Sequence, residues 1–353
     1  MPRAKFNNAK IKGICCAVPN NPISIEEMVK PYFDENYVKK TIDIIGVKQL
    51  YYAKEGQTTS DLGYAAAEKL IADIGWKKES IDGLIFISQT PDYILPATSC
   101  ILQDRLRLPI TTLTLDINLG CSAYIYGLFL ANQFISARTC KKIILIVGDT
   151  ISRKVSPKDK SSVLIFGDGV SVTAVEFSDE NSLSSFILKA DGSGASNLII
   201  PAGSNRYPST EESRVEKKDQ DGNIRTDEHI YMDGMEIFSF ALREVPKIIK
   251  EVIDLNDWTS IDVDKLLLHQ ANNYMLKHIA QKAKIPMDKL PLNMDSFGNT
   301  GGATIPFLIC DKLKDDVKIN KLRVVLSAFG VGLSWGGAAM ELSDLFCSET
   351  LYI

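Results

Sequence analysis

The chain has 353 residues, 45% of them apolar and 24% charged, with a net charge of −4. This is an ordinary soluble-enzyme composition, long enough for two domains or one duplicated one. The acid excess and the lack of any long basic run exclude a nucleic-acid partner. No apolar run reaches the roughly 20 residues that span a bilayer, and the N-terminal stretch lacks a signal-peptide core. Seven scattered cysteines without a Cys-x-x-Cys pair point to a reducing cytoplasm, not to a disulfide framework or structural zinc.

In chain order, a helix period over Ser60 to Gly75 leads to a strand at Gly83 to Ser88. Strand patterns follow at Thr112 to Ile117, Lys142 to Gly148 and Ser171 to Phe177. After a helical stretch over Met235 to Asp254 come strands at Lys265 to His269 and Arg323 to Gly330. Short apolar strands alternating with helices predict an α/β architecture with helices on both faces of a sheet. Two stretches read alike as strand, small-residue turn, helix: one around Cys121 and one around Asn299. They imply a duplicated α/β unit with its seam near residues 178 to 190, hence halves of 1–182 and 183–353. The segment Gly203 to Ile230 is polar and aperiodic, either an exposed loop or a flap over a site.

Cys121 follows Asn118-Leu119-Gly120 at the start of an apolar helix pattern. A helix start offers unpaired N–H groups and partial positive charge, which favour a thiolate and can hold an oxyanion. His269 ends the apolar run Leu266 to Leu268 and opens His-Gln-Ala-Asn, so a buried strand delivers it to a helix mouth. Asn299 lies in the glycine-rich turn Ser296 to Pro306, and a further small-residue loop spans Ser327 to Ala338. No glycine-rich phosphate loop occurs, so a nucleotide site is not expected. Cysteine, histidine and asparagine in this order also occur in papain-like proteases, but their cysteine sits near the N-terminus in a different local context.

The motifs around Cys121 (DINLGCSA), His269 (HQAN) and Asn299 (GNTGGATIP) resemble those of β-ketoacyl-ACP synthase III enzymes, as do IFGDG around Phe166 to Gly169, beginning at Ile165, MDG at Met232 to Gly234 and AFGVGLSWGGA near the end. The resemblance covers nearly the whole chain and implies the thiolase-like fold, duplicated βαβαβ units in a five-layered αβαβα sandwich, as a homodimer. It implies that Cys121 takes an acyl group from an acyl-CoA or acyl-ACP donor and condenses it with malonyl-ACP, releasing CO2, without a cofactor or metal. His269 and Asn299 would hold the thioester oxygen as it becomes an enolate, Phe329 would wall that pocket, and the N–H groups of Cys121 and of the Gly330, Val331, Gly332 loop, at Val331, would form a second oxyanion hole. Acyl carrier protein would dock beside Gln270, Ala271, Asn272, Asn273 and Tyr274. Lys277 and Lys284, seven positions apart and so on one helix face, would supply positive charge. Leu95 would reach the acyl pocket across the dimer interface.

Lys40 and Ile44 stand where relatives carry the Trp and Arg that sandwich the CoA adenine, and Tyr274 replaces a basic residue. These departures keep open a specialised acyltransferase of secondary-metabolite or surface-glycan synthesis that uses another acceptor. A non-catalytic partner subunit is a further reading, against which Cys121 itself stands.

Overall fold

Runs such as Ile143 to Val147 are apolar without alternation, as expected for strands covered on both faces. In the computed structural model, which describes residues 3–180 and 182–353, they pair into two main mixed sheets. We number the strands of these sheets in chain order: β1 Arg3–Phe6, β2 Ala9–Val18, β3 Gly83–Ile87, β4 Leu113–Ile117, β5 Lys142–Asp149, β6 Gly169–Phe177, β7 Ser184–Ala190, β8 Lys265–Leu268, β9 Leu322–Gly330, β10 Ser334–Leu342, β11 Phe346–Cys347 and β12 Leu351–Tyr352. The helices that cover them are α1 Thr59–Asp73, α2 Thr98–Arg105, α3 Ala123–Ser136, α4 Gly234–Leu255, α5 Asn273–Lys282 and α6 Thr304–Lys312.

The first sheet runs β11-β2-β6-β5-β3-β4, with β12 also on β2; the second runs β1-β7-β10-β9-β8. In the first, β4, β3 and β5 are mutually parallel, then β6 and β2 follow antiparallel. In the second, β8 and β9 are parallel, then β10 and β7 follow antiparallel. The same succession of pairings thus occurs twice, and the chain passes from one sheet to the other between Phe177 and Ser184. The termini cross over: β1 joins the second sheet, while β11 and β12 join the first.

Three apolar cores separate five layers. The first sheet packs α1 and α2 on its outer face through Leu62, Leu70, Leu102 and Ile144. The second packs α4 and α5 on its outer face through Phe240, Ile249, Leu276 and Val325. Between the sheets lie α3 and α6, sharing one core with Tyr124, Leu145, Phe307 and Leu326. The order is therefore αβαβα. Each fully buried Leu, Ile or Phe in these cores contributes about 1.5–3 kcal/mol relative to exposure.

Two elements depart from the sequence reading. Ser327 to Ala338 is not one loop; it straddles a hairpin of β9 and β10 with a tight turn at Val331 to Leu333. The glycines that disguise β10 let Ile125 of α3 and Ile248 of α4 press on it from opposite faces. The stretch before Asn299 forms no counterpart of β4. Pro291 lacks an N–H to give a ladder, the Asn293 N–H donates to the Gln270 side chain at 3.1 Å, and Met294–Phe297 makes a single helical turn. The polar segment 203–230 is largely exposed, as read from the sequence; it carries a short ladder of Lys217–Lys218 with Ile224–Arg225 and packs along residues 154–160.

Candidate active site

Strand β4 ends at Ile117, the turn 118–120 follows, and Ser122 immediately precedes α3 without a side-chain capping bond, so Cys121 sits just before the first helical turn. The thiol is buried. The end of β9 closes over it: a Cβ at Gly330 would lie 2.6 Å from the Cys121 sulfur, so only glycine fits there. The Val331 N–H and the residue's own N–H both favour a thiolate. They do not win. Burial, aided by the buried Asp149 carboxylate, pushes the thiol up to about 11, which corrects the expectation of a thiol lowered by its helix start. Loss of hydration outweighs two N–H groups because Cys121 lies outside the helix and against packed backbone.

The Val331 turn is tied to the other side of the thiol. Ser334 Oγ donates to the Val331 carbonyl at 2.9 Å and lies 2.7 Å from Ser122 Oγ. With its own hydrogen committed to Val331, Ser334 accepts from Ser122.

His269 continues the β8 ladder, its N–H donating to the Ser327 carbonyl at 2.9 Å. Its ring is buried edge-on to Phe329, with centroids 5.8 Å apart, and Nδ1 lies 2.7 Å from Thr304 Oγ1. Burial lowers its pKa to about 4, the Gly301 backbone opposing, so the ring is neutral at physiological pH. Asn299 is held by the first half of the chain: its N–H donates to Ile165 at 2.9 Å and its carbonyl accepts from Gly167 at 3.0 Å. Its side-chain oxygen accepts the Gly301 N–H at 3.0 Å, which leaves the amide NH2 as the free donor. Cys121, His269, Asn299, Phe329 and Gly330 line one pocket of about 250 Å³. Two neutral N–H donors and a thiol around one apolar cavity can hold a developing oxyanion beside an acylated sulfur.

The remaining sequence-derived residues are placed unevenly. Ala271 and Asn272 also line the pocket, and the Asn272 side chain caps α5 by accepting the Met275 N–H at 2.7 Å. Gln270 is fully buried, a strut between Leu268 and Asn293, so it cannot meet a carrier protein at the surface. Asn273 packs on the backbone of Gly46. Tyr274 is half exposed and stacks on Phe238, and Lys277 is exposed on α5. Lys284 does not share a helix face with Lys277: α5 ends at Lys282, and Lys284 takes a left-handed conformation with φ 57°. Gly332 belongs to the turn beyond Val331 and does not line the pocket. Leu95 lines no part of the pocket within one chain; it projects into solvent, 79% exposed, beside Tyr93 and Ile94.

Several residues escaped the sequence reading. Lys160 and Ser161 form part of the pocket wall and are braced from behind by the polar segment. Lys160 donates to the Asp221 carbonyl at 2.9 Å, and Arg225 pairs with Asp219 at 2.8 Å and with buried Asp159 at 3.4 Å. Asp159 in turn accepts from the Ser161 N–H and hydroxyl. Asp149, ending β5, is pushed up to about 7 by burial although Ser88, Thr90 and the Gln89 N–H all donate to it. The polar ending of an apolar strand, Gly148-Asp149-Thr150, was its only sequence signal.

Comparison with known proteins matches this arrangement to one group. Residues 115–192 match the model of 3-oxoacyl-[acyl-carrier-protein] synthase III, and residues 253–342 match that of its C-terminal region. The fold superposes on a 3-oxoacyl-(acyl-carrier protein) synthase structure from Burkholderia xenovorans LB400 with a TM-score of 0.93, at 40% identity over 100% of this chain and 99% of that one. A Campylobacter jejuni protein provisionally named 3-oxoacyl-[acyl-carrier-protein] synthase 3 is 36% identical over 99% of this chain and 98% of its own. The β-ketoacyl-[acyl-carrier-protein] synthase III of Caldanaerobacter subterraneus subsp. tengcongensis is 34% identical, covering 84% of this chain and 87% of its own. With the thiolase-like sandwich and such relatives along its length, the chain belongs to the 3-oxoacyl-[acyl-carrier-protein] synthase III family of acyltransferring condensing enzymes.

Proposed function

We propose that the chain carries out decarboxylative condensation through an acyl-enzyme at Cys121. The sulfur attacks an acyl-CoA thioester, the carbon–sulfur bond to CoA breaks, and CoA leaves as the thiol with the proton that Cys121 gives up. The Cys121 and Val331 N–H groups stabilise the tetrahedral oxyanion. Malonyl-ACP then enters and its terminal carbon–carbon bond breaks. CO2 departs, and the electron pair passes into a thioester enolate whose oxygen is held by His269 Nε2–H and the Asn299 amide. The enolate carbon attacks the acyl group, and Cys121 leaves as a thiolate that takes a proton from solvent. The substrates and the chain's own side chains suffice, with no cofactor.

One observation carries this reading: the pocket that holds the thiol also holds a histidine kept neutral by burial and an asparagine whose oxygen is already engaged. Such a pair donates hydrogen bonds and is poorly suited to take a proton, which fits an enolate clamp better than a protease-like base. Mass spectrometry of the intact protein with a panel of acyl-CoAs tests it. Wild type gains one acyl group and Cys121→Ala gains none, while Asn299→Ala still loads but releases CO2 from malonyl-ACP about 10²–10³-fold more slowly. Equal loading of Cys121→Ala, or undiminished CO2 release by Asn299→Ala, overturns the assignment.

The carrier protein belongs to the same proposal, docking where Tyr274 and Lys277 flank the pocket, as does a cytoplasmic setting for its seven free cysteines. Among the described residues, no helix is long and apolar enough to cross a membrane. A homodimer fits the open edge of β4 and the exposed Tyr93, Ile94 and Leu95 beside it. Sedimentation should read twice the chain mass; a monomer at micromolar concentration would contradict it.

A further inference from the structure

Holding an enolate oxygen requires the His269 proton on the ring nitrogen that faces the pocket. A neutral imidazole carries one N–H, and the partner of one nitrogen decides where the hydrogen of the other sits. His269 Nδ1 faces Thr304 Oγ1 at 2.7 Å, and both residues are buried. Thr304 is the first residue of α6, immediately after the Asn299 turn. Its hydroxyl has one hydrogen to place, and among the described residues His269 is the side-chain partner it meets. If Nδ1 carried the ring proton, the threonine would accept and its own hydrogen would lose the side-chain acceptor it meets in this buried setting, a costly arrangement. If Thr304 donates instead, both groups are satisfied, Nδ1 is the acceptor and Nε2 carries the hydrogen.

We infer that Thr304 is a positioning residue that fixes His269 as its Nε2–H tautomer, so that the ring presents a donor and not a lone pair to the substrate oxygen. Thr304 acts through His269 and touches no reacting atom. The inference rests on the enolate-clamp reading, but the tautomer can be observed without substrate, so the two fail separately.

The test is nitrogen NMR of protein labelled with 15N-histidine. With only three histidines in the chain, the His269 ring is assigned by its loss in His269→Asn. The wild-type ring should show a bare Nδ1 and a protonated Nε2. Thr304→Val, which keeps the shape and removes the hydroxyl, should move the proton toward Nδ1. It should also slow CO2 release from malonyl-ACP about tenfold or more while acyl loading of Cys121 stays at the wild-type rate. Thr304→Ser should restore both ring and rate. A wild-type ring protonated on Nδ1 overturns the inference, and so does a Thr304→Val ring identical to wild type. If Thr304→Val does not fold, the wild-type spectrum and Thr304→Ser still decide: a serine variant that folds with the proton on Nδ1 also overturns it.

Discussion

The two strand-to-helix junctions at the site, at Cys121 and at Asn299, are built differently. At Cys121 a regular strand, β4, runs into a three-residue turn and the start of α3. At Asn299 the strand is gone, and the turn is held by hydrogen bonds to Ile165 and Gly167 of the other half. The junctions also touch: a Cβ on Gly302 would strike the Gly120 carbonyl at 2.9 Å and Ala123 at 2.8 Å. The difference follows the chemistry. A nucleophile can be mounted on one rigid strand and helix, because only its sulfur and nearby N–H groups must be aimed. A donor amide has to be fixed in rotation as well, and Asn299 achieves this by committing its oxygen to Gly301 and its backbone to the first half. The two sheets share a pairing pattern, but the second has no counterpart of β4, and the segment in that place is shaped by the other half of the chain.

The contrast predicts opposite responses to pH. The Cys121 thiol, pushed up to about 11, is protonated at neutrality, so its alkylation by iodoacetamide should rise close to tenfold per pH unit, about 10³-fold from pH 7 to 10. A rate already level below pH 8 would show that the N–H groups prevail over burial. His269, lowered to about 4, gains no charge between pH 6 and 8, so the decarboxylation step should show no histidine ionisation there. The stability linkage has a definite sign. Between the unfolded value of about 6.5 and the folded value of about 4 the unfolded chain binds the extra proton, so this contribution is present above about 6.5 and is lost as pH falls toward about 4.

The same two junctions mark what could be read from sequence. The strand leading to His269 was legible because a buried strand is continuously apolar and the polar residue at its end stands out, and the strand before Cys121 by the alternation of Leu113-Thr114-Leu115-Asp116-Ile117. The repeated motifs suggested two copies of one unit, and family resemblance supplied the layers. Hidden features depended on contacts between segments distant in the chain. β10 reads as a glycine-rich loop because its neighbours on both faces press close. The missing strand before Asn299 is replaced by contacts to residues 165 and 167 that no local period encodes. The thiol's shift reflects burial that Asn-Leu-Gly-Cys does not reveal, and Lys284 fell off its expected helix face because α5 stops two residues earlier. Thr304 carries no local signal of its own; its role depends on His269 being placed against it.

The smallest expected effect separates the junctions most cleanly. The relay from Ser122 through Ser334 to the Val331 carbonyl serves only the Cys121 side, holding the turn whose N–H points at the sulfur. Among the described residues His269 and Asn299 make no hydrogen bond to it, their partners being Thr304, Gly301, Ile165, Gly167, Ser327 and Ala271. Ser334→Ala removes one neutral hydrogen bond to Val331 and the acceptor for Ser122, a change of about 0.5–1.5 kcal/mol where the fold relaxes around it. Acyl loading of Cys121 should therefore slow roughly 3–10-fold, since the looser Val331 N–H meets the oxyanion less well. CO2 release from malonyl-ACP should stay at the wild-type rate. An equal fall in both steps would mean that the two junctions move as one unit, and their separate construction would then carry no separate chemistry.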